Sequence, residues 1–457
     1  MSEISAKPKL GLATACSVVI ASMVGVGVFS TLSFQVHNLP SPFAILVLWA
    51  VGALVALFGA LCYAELGAAL PRSGGEYHLL GRIFHPALGF LAGWVSLIAG
   101  FAAPIAAAAI AFAAYTAKVL PALEAYRVTT ATVLVVLVTA VHAFKVSAGA
   151  RFQVAATIIK LLLMALIVIT ALLQPPQFAI SFAPQPGDWQ LIFGSAFAVS
   201  LVYVSYAYSG WNAAIYLAGE TENPQRVLPK ALALSTLGVA ALYLCVNYAF
   251  LSSVPISEML GVNPFALGDS GMVTKELAVG FLAGKHLFGA NGAAVIGGLI
   301  ALCLVSTTSA MVLTGPRVLT TMAEDYRMLA KLATRGPGGA PVWALLAQLL
   351  LVCVLLWTAS FETVISYIGI TLSLFASLTV IGLIWLRIKE PDLARPFRCP
   401  GYPLTPALFL LVNGWMLYYL GANDAKALGA SALTLLVGSA CYFAFERTQP
   451  QALVTGD

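Results

Sequence analysis

The chain has 457 residues, of which 60% are hydrophobic and only 9% are charged, and its formal net charge is +5. Soluble domains carry about 25% charged residues, so a chain this apolar is expected to fold in a lipid bilayer. The Lys and Arg residues are not concentrated in one basic block, so a nucleic-acid partner is not expected. The seven cysteines form no CxxC pair, so no metal site or disulfide framework is indicated.

Twelve apolar segments reach the length of about 20 residues that a membrane-spanning helix needs. They are residues 11–36, 42–68, 86–115, 128–147, 150–174, 191–218, 229–254, 290–318, 341–359, 363–387, 403–421 and 427–446. The expected class is therefore an all-α integral membrane protein with twelve transmembrane helices. The first segment lacks the cleavage site of a signal peptide and is expected to remain as helix 1.

Basic residues are distributed unevenly between the two sides of this predicted topology. If both termini lie on one side, 17 of the 23 Lys and Arg residues fall on that side and 5 on the other, while Lys160 falls within a span. Because cytoplasmic loops are enriched in Lys and Arg, both termini are expected to be cytoplasmic. The predicted location is the inner (cytoplasmic) cell membrane, with several passes through it.

Two of the predicted helices contain residues that favour an interruption inside the membrane. Helix 1 contains IASMVGVGVF (residues 20–29), in which two glycines flank a valine, and helix 6 contains YVSYAYSGWNAA (residues 203–214), in which a Ser-Gly pair can loosen the helix. Paired interruptions in corresponding positions of two halves indicate a transporter binding site, because freed backbone groups can hold a substrate. The alternative is that the glycines only allow close helix packing.

Four motifs along the chain carry a resemblance to a known family. They are IASMVGVGVF, YAELGAALPRSGGEYHLLGRIFHPALGFLAGW (63–94), YSGWNAAIYLAGETENPQRVLPKAL (208–232) and SAMVLTGPRVLTTMAEDYRML (309–329). With these motifs in this order, nearly the whole chain resembles the amino acid–polyamine–organocation (APC) superfamily. It looks like a bacterial member similar to the branch that contains the L-type amino acid transporters.

The resemblance implies the LeuT-type fold, in which five plus five helices form an inverted repeat with discontinuous helices 1 and 6, here followed by two extra helices. The expected domains are a ten-helix transport core at 1–387, with repeat halves at about 11–174 and 191–387, a cytoplasmic linker at 388–402, helices 11 and 12 at 403–446, and a cytoplasmic tail at 447–457.

The resemblance also implies which backbone groups hold the substrate. The matching positions are Gly25, Val26 and Gly27 for the substrate carboxylate, and Met23, Tyr206, Ala207 and Ser209 for its amino group. A zwitterion suits such a site, because the two ends of a broken helix carry opposite partial charges. Family members often have Ser or Thr between the two glycines, so Val26 implies that a hydroxyl contact to the carboxylate is lost.

Residues around the helix-6 break bear on the substrate class. Tyr206 matches an aromatic residue that closes over the substrate in the family, or is simply a packed tyrosine, and Asn212 either borders the substrate pocket or satisfies freed backbone groups. No Asp or Glu lies mid-span near either break, and Ser209 stands where some carriers of cationic amino acids have Asp. A neutral L-amino acid is therefore expected, with Val26 and Tyr206 favouring small or medium side chains; a cationic amino acid or polyamine carrier is the alternative.

Helix 5 carries a lysine, Lys160, about 13 Å deeper than Arg151 at 1.5 Å per residue. The side chain either snorkels to the surface or serves a function inside the membrane. In many sodium-independent members of the family a helix-5 lysine replaces a structural sodium ion, which implies that Lys160 bridges the helix-1 break to Thr307, Thr308 or Ser309 of helix 8. It would either change protonation in each cycle and couple transport to protons, or stay charged as a strut in an exchanger.

The expected function is sodium-independent secondary transport of neutral L-amino acids by alternating access, as a proton symporter or an amino acid exchanger, without a cofactor or metal. The sequence shows no catalytic His cluster, Ser–His pair or carboxylate pair of an enzyme, no filter of a channel, and no long tail of a signalling receptor. The loop at 116–127 has no Cys, so no disulfide-linked heavy subunit is expected. Glu65, Glu220 and Glu222 are interpreted as gate or salt-bridge residues, or as a solvated face.

Overall fold

The computed structural model describes residues 10–144, 148–174, 180–261, 278–326, 329–334, 336 and 340–446. Within these ranges the chain is almost entirely helical, and its one sheet-like pairing is an isolated parallel bridge between Leu10 and Thr221. The all-α class predicted from the sequence is confirmed. The predicted tail at 447–457 lies outside the described residues.

The helices follow the predicted spans closely in chain order. The first half contains α1 (Leu12–Met23), α2 (Val26–Ser30), α3 (Leu32–Asn38), α4 (Pro42–Ala69), α5 (Glu76–Ile83), α6 (Pro86–Val95), a π-helix (Ser96–Ala102), α7 (Ala103–Val119), a 3-10 helix (Pro121–Tyr126), α8 (Arg127–Phe144) and α9 (Ala148–Leu173). The second half contains α10 (Asp188–Ile192), α11 (Ser195–Tyr208), a 3-10 helix (Ala213–Glu220), α12 (Pro224–Ser253), α13 (Ile256–Gly261), α14 (Val279–Asp325), α15 (Ala330–Ala333), α16 (Val342–Thr358), α17 (Phe361–Lys389), α18 (Leu404–Asn423) and α19 (Ala425–Glu446).

Ten helical stretches among the described residues are long and apolar enough to cross a membrane. Two further predicted spans fall short of that length, because α16 has 17 residues and α11 stops after 14. The chain is therefore a multi-pass membrane protein, as its composition predicts.

The predicted span at 290–318 was too short. In the structure α14 bends at Gly289, which has a φ of 74°, and then runs past Pro316 to Asp325. The missed turns lie before the kink at Gly289 and after residue 318, outside the apolar stretch that set the predicted span. The predicted boundary at 229 was also late, since α12 begins at Pro224.

Several contacts define one face of the bundle, called here the N-terminal face. Leu10 donates its amide to the Glu220 carbonyl at 2.8 Å and accepts from the Glu222 amide at 2.9 Å. The nearby Gly219 amide donates to the Ser73 hydroxyl at 3.0 Å. The side chains of Glu220 and Glu222 are exposed, so the solvated-face interpretation holds for both.

Glu65 fastens the non-helical segment 390–403 to the N-terminal face. Its side chain is only 1% exposed, and it accepts two hydrogen bonds from Arg387, at 2.8 Å from Nε and 2.5 Å from Nη2. The amide of Cys399 donates to the same carboxylate at 2.6 Å. Glu65 is therefore a buried salt-bridge partner and not part of a solvated face.

Candidate substrate site

The predicted interruption in the first span is present. Helix α1 ends at Met23, Gly25 has φ −149° and ψ −142°, and α2 begins at Val26. The first amides of α2 lack intrahelical acceptors, as at any helix start. The interruption therefore frees peptide groups well inside the bundle, where every residue from Met23 to Ser30 is buried.

The two glycines of this break also allow close packing. A Cβ on Gly25 would lie 3.2 Å from the Thr307 methyl carbon, and one on Gly27 would lie 2.4 Å from Cα of Ala207. The second distance leaves no room for a side chain, because the obstructing atom is backbone. The packing interpretation and the interruption thus both apply to this motif.

The second interruption lies at Ser209 and Gly210. Helix α11 ends at Tyr208, Ser209 is extended, Gly210 has a φ of 95°, and a 3-10 helix resumes at Ala213. A Cβ on Gly210 would lie 2.8 Å from Cβ of Ser22. The breaks are therefore in direct contact with each other.

Lys160 reaches the first break from α9. The side chain is fully buried, and its amine donates to the Thr307 hydroxyl at 2.8 Å and to the Val24 carbonyl at 3.2 Å. The Thr307 hydroxyl donates in turn to the Cys303 carbonyl at 3.1 Å. The snorkelling alternative is wrong, since the amine points into the bundle and joins the break to α14.

Only one of the three predicted hydroxyl partners of Lys160 contacts it. The Thr308 hydroxyl is buried without a hydrogen-bond partner in the described part of the chain. Ser309 pairs instead with the Nε2 atom of His142 on α8, at 2.8 Å. Three consecutive helical residues point about 100° apart around the axis, so they cannot all face one amine.

Tyr243 on α12 is a residue of the site that the sequence did not reveal. Its hydroxyl lies 2.7 Å from the Met23 carbonyl and 3.3 Å from the Ala207 carbonyl, so one donor serves both breaks. These are two of the four carbonyls expected to face the substrate amino group. A mid-helix tyrosine in an apolar span is the only signal of this role in the sequence, and many packed tyrosines share it.

A cavity of about 230 Å³ extends from the breaks toward the N-terminal face. Its lining includes Ser22, Glu76, Ser209, Asn212, Thr307 and Arg317. The other predicted site residues do not line it, since Met23, Gly25, Val26, Gly27, Tyr206 and Ala207 are buried in the contact between the broken helices. The cavity therefore reaches the predicted site from one side only.

The opposite side of the breaks is closed by aromatic packing. The ring of Phe34 stacks against Tyr203 at a centroid distance of 5.2 Å and against Phe361 at 5.7 Å. The Tyr203 hydroxyl donates to Glu362 at 3.2 Å, and Tyr206 is only 6% exposed. Access from that side requires these rings to separate.

A sequence model of the family described as "Amino acid permease" matches residues 10–437. The chain belongs to the amino acid permease family of the APC superfamily. Among its relatives, this permease is 28% identical to the large neutral amino acids transporter small subunit 2 of Mus musculus, over 96% of this chain and 81% of the relative. It is 26% identical to the cystine/glutamate transporter of Homo sapiens (97% and 86%) and 27% identical to the Asc-type amino acid transporter 1 of Mus musculus (99% and 84%).

A carboxylate lines the cavity of this permease, although the sequence places no Asp or Glu mid-span near either break, because Glu76 lies outside the predicted spans. Glu76 is 8% exposed, and its Oε1 atom accepts from Asn212 at 2.8 Å and from the Tyr63 hydroxyl at 2.9 Å. Its Oε2 atom accepts from the Tyr216 hydroxyl. Asn212 lines the cavity, and its amide binds this carboxylate and not freed backbone.

Two glycines bring Glu76 to this position. Gly74 and Gly75 have φ values of 121° and 58°, so the chain turns sharply before α5 begins at Glu76. A Cβ on Gly75 would lie 2.4 Å from the ring of Tyr216. The Gly-Gly-Glu sequence was therefore the available signal, since glycines are tolerated where φ is positive.

Proposed function

We propose that this permease is a sodium-independent secondary transporter of neutral L-amino acids that works by alternating access across the cytoplasmic membrane. In this proposal its twelve helices form a LeuT-type inverted repeat followed by two extra helices, and both termini are cytoplasmic. It acts without a disulfide-linked heavy subunit, since 116–127 has no Cys. The family and its named relatives are transporters, so an enzymatic activity is not proposed.

The buried amine of Lys160 is the observation that carries the proposal. A sodium ion between the break and α14 would gather a backbone carbonyl and a hydroxyl as ligands. The Lys160 amine supports this role, because it binds the Val24 carbonyl and the Thr307 hydroxyl. A lysine amine at this position supports transport that needs no sodium.

The proposed substrate lies against backbone and not against ionised side chains. Its carboxylate meets the amides of Gly25, Val26 and Gly27, which lie at the positive end of α2. Its amino group meets the carbonyls of Tyr206 and Ser209. The Met23 and Ala207 carbonyls are shared with the hydroxyl of Tyr243, and each carbonyl has two lone pairs with which to accept.

Alternating access fits the asymmetry about the breaks. The cavity reaches them from the N-terminal face, while Phe34, Tyr203 and Phe361 close the other side. In the proposed cycle the aromatic contact opens when the cavity closes. The names of two relatives, the large neutral amino acids transporter and the Asc-type transporter, support amino acid transport but differ from the cystine/glutamate transporter in the substrate they state.

A second candidate function is transport of a cationic amino acid or polyamine. The observation that favours it is Glu76, whose carboxylate lines the cavity and accepts hydrogen bonds from neutral groups. It ranks second because Ser209 and the rest of the break region supply no carboxylate for a cationic side chain.

Transport by purified protein in proteoliposomes tests both candidates. Uptake of labelled alanine and leucine is expected without sodium, and uptake of arginine exceeding both would favour the second candidate. Accumulation driven by a pH gradient would assign proton symport, whereas uptake only into vesicles preloaded with amino acid would assign exchange. Sodium dependence would contradict the role given to Lys160. Lys331→Ala, at an exposed lysine on α15, is the control for Lys160→Ala.

A further inference from the structure

Glu76 and Glu65 are both buried carboxylates, but they have different hydrogen-bond partners. Glu65 is held by the guanidinium group of Arg387. The donors to Glu76 are two tyrosine hydroxyls and one amide, and no ion pair to it forms among the described residues. Buried charges in proteins are usually paired with an opposite charge, and a cationic group in the cavity would supply the partner that Glu76 lacks among the described residues.

Three donors converge on this carboxylate. Hydrogen bonds to an ionised acceptor are shorter and roughly twice as strong as neutral ones. A carboxylate offers about four lone-pair positions, and Tyr63, Asn212 and Tyr216 take three of them. One acceptor position thus remains open on Glu76, in a cavity where Arg317 is the other residue with an ionisable side chain.

Glu76 lines the cavity that connects the N-terminal face with the breaks. Asn212 and Tyr216 belong to the segment that follows the helix-6 break, only three and seven residues beyond Ser209. The same cavity is lined by Glu76, by Ser209 and Thr307 at the breaks, and by the exposed Arg317. A solute that moves between the N-terminal face and the breaks therefore passes this carboxylate.

We propose that Glu76 forms a cation-accepting subsite in the cavity, which takes the ammonium group of an amino acid between the central site and the N-terminal face. The inference rests on the proposed transport function and adds a specificity residue to it. It predicts that affinity for the substrate on the cavity side depends on the Glu76 charge, while affinity on the opposite side does not.

A structural latch is the competing role for Glu76. The carboxylate joins α4 to the segment after the helix-6 break, and losing that joint would slow movement from both sides alike. Glu76→Gln separates the two roles, because the amide keeps the size and an acceptor oxygen but removes the charge. Glu76→Asp keeps the charge, and Glu390→Gln is the matched control, since Glu390 lies on the same face but pairs with Arg82 at 2.9 Å.

The test measures KM for labelled alanine separately from each face, in proteoliposomes sorted by orientation, and uses n-butylammonium as a competitor. Glu76→Gln is expected to raise KM on the cavity side by about tenfold to hundredfold, the loss expected for one hydrogen bond to a charged group. KM on the opposite side should stay within about twofold by the same reasoning. In the wild type n-butylammonium should inhibit from the cavity side, and Glu76→Gln should abolish that inhibition.

Unchanged KM on both sides, or an equal fall in maximal rate from both sides, would overturn the subsite. Absence of n-butylammonium inhibition in the wild type would overturn it without any variant, so a poorly folded variant leaves a decisive result. Glu76→Asp is expected to retain the inhibition. If the wild type carries no neutral amino acid, the proposed function fails; a rise in melting temperature with n-butylammonium that Glu76→Gln lacks would still support the subsite.

Discussion

Replacing Lys160 with methionine is expected to change the free energy of unfolding little but to lower the uptake rate strongly. Methionine matches most of the length of the lysine stem but has no amine. The change removes two hydrogen bonds, at 2.8 Å to Thr307 and 3.2 Å to Val24. Hydrogen bonds to charged groups contribute about 1.5–3 kcal/mol each, so the gross loss is about 3–6 kcal/mol.

The same change removes a buried charge. Burial of an ammonium ion costs several kcal/mol after relaxation, and the Thr307 hydroxyl keeps its bond to the Cys303 carbonyl. The two effects are of similar size, so the free energy of unfolding of Lys160→Met is expected to lie within about 2 kcal/mol of the wild type. In the proposed mechanism, transport requires the contact of Lys160 with Thr307 and Val24. Destabilising the conformation that depends on this contact by about 1.4 kcal/mol lowers the transport rate tenfold.

Counterflow of labelled alanine in proteoliposomes and the melting temperature in detergent measure the two quantities. We expect uptake by Lys160→Met to fall by about tenfold or more. Thr307→Val should resemble it, because it removes the hydroxyl that the amine binds. Thr308→Val is the matched control, since its buried hydroxyl has no partner among the described residues, and it should transport normally. Normal uptake by Lys160→Met in well-folded protein would refute the reasoning.

Three further predictions use other contacts. Tyr243→Phe removes the hydroxyl shared by the two breaks and should lower the free energy of unfolding by about 1–3 kcal/mol, seen as a lower melting temperature; an unchanged value would contradict the assigned hydrogen bonds. Gly27→Ala should abolish uptake, because its Cβ would lie 2.4 Å from backbone of Ala207, whereas Gly298→Ala has open space and should be tolerated. Burial, then the charges of nearby arginines, lower the pKa of His78 to about 4; only the unfolded chain takes up that proton between pH 6.5 and 4, so stability should fall as pH drops through this window, and His78→Gln should flatten the fall.

The sequence predicted those parts of the site that a single segment encodes. Glycine spacing placed the break between Met23 and Val26, and a lone lysine in an apolar span indicated the amine near Thr307. The break and the functional lysine follow from local composition and the cost of charge or open backbone in lipid, whereas the partner of the lysine at Thr307, Thr308 or Ser309 was implied by the family resemblance. Ten of the predicted spans correspond to helices of spanning length among the described residues, because apolar length largely specifies them.

The sequence did not predict two residues that reach the site from helices other than the two broken ones. Tyr243 reaches the breaks from α12, and Glu76 reaches the cavity from a short helix outside the predicted spans. Whether a carboxylate lies near a break depends on how helices pack, and mid-span searching cannot find one that enters from a loop. The π-helix at Ser96–Ala102 was likewise not predicted, since no residue type marks the extra residue in its turn.

The bridge between Leu10 and Thr221 has a consequence for how the cavity opens. Two backbone hydrogen bonds tie the start of α1 to the segment just beyond the helix-6 break. Each piece is separated from the other half of its span by a break. Because the two pieces are joined through Leu10, Glu220 and Glu222, we expect them to move together, so that a spectroscopic probe attached to either piece reports the displacement of both.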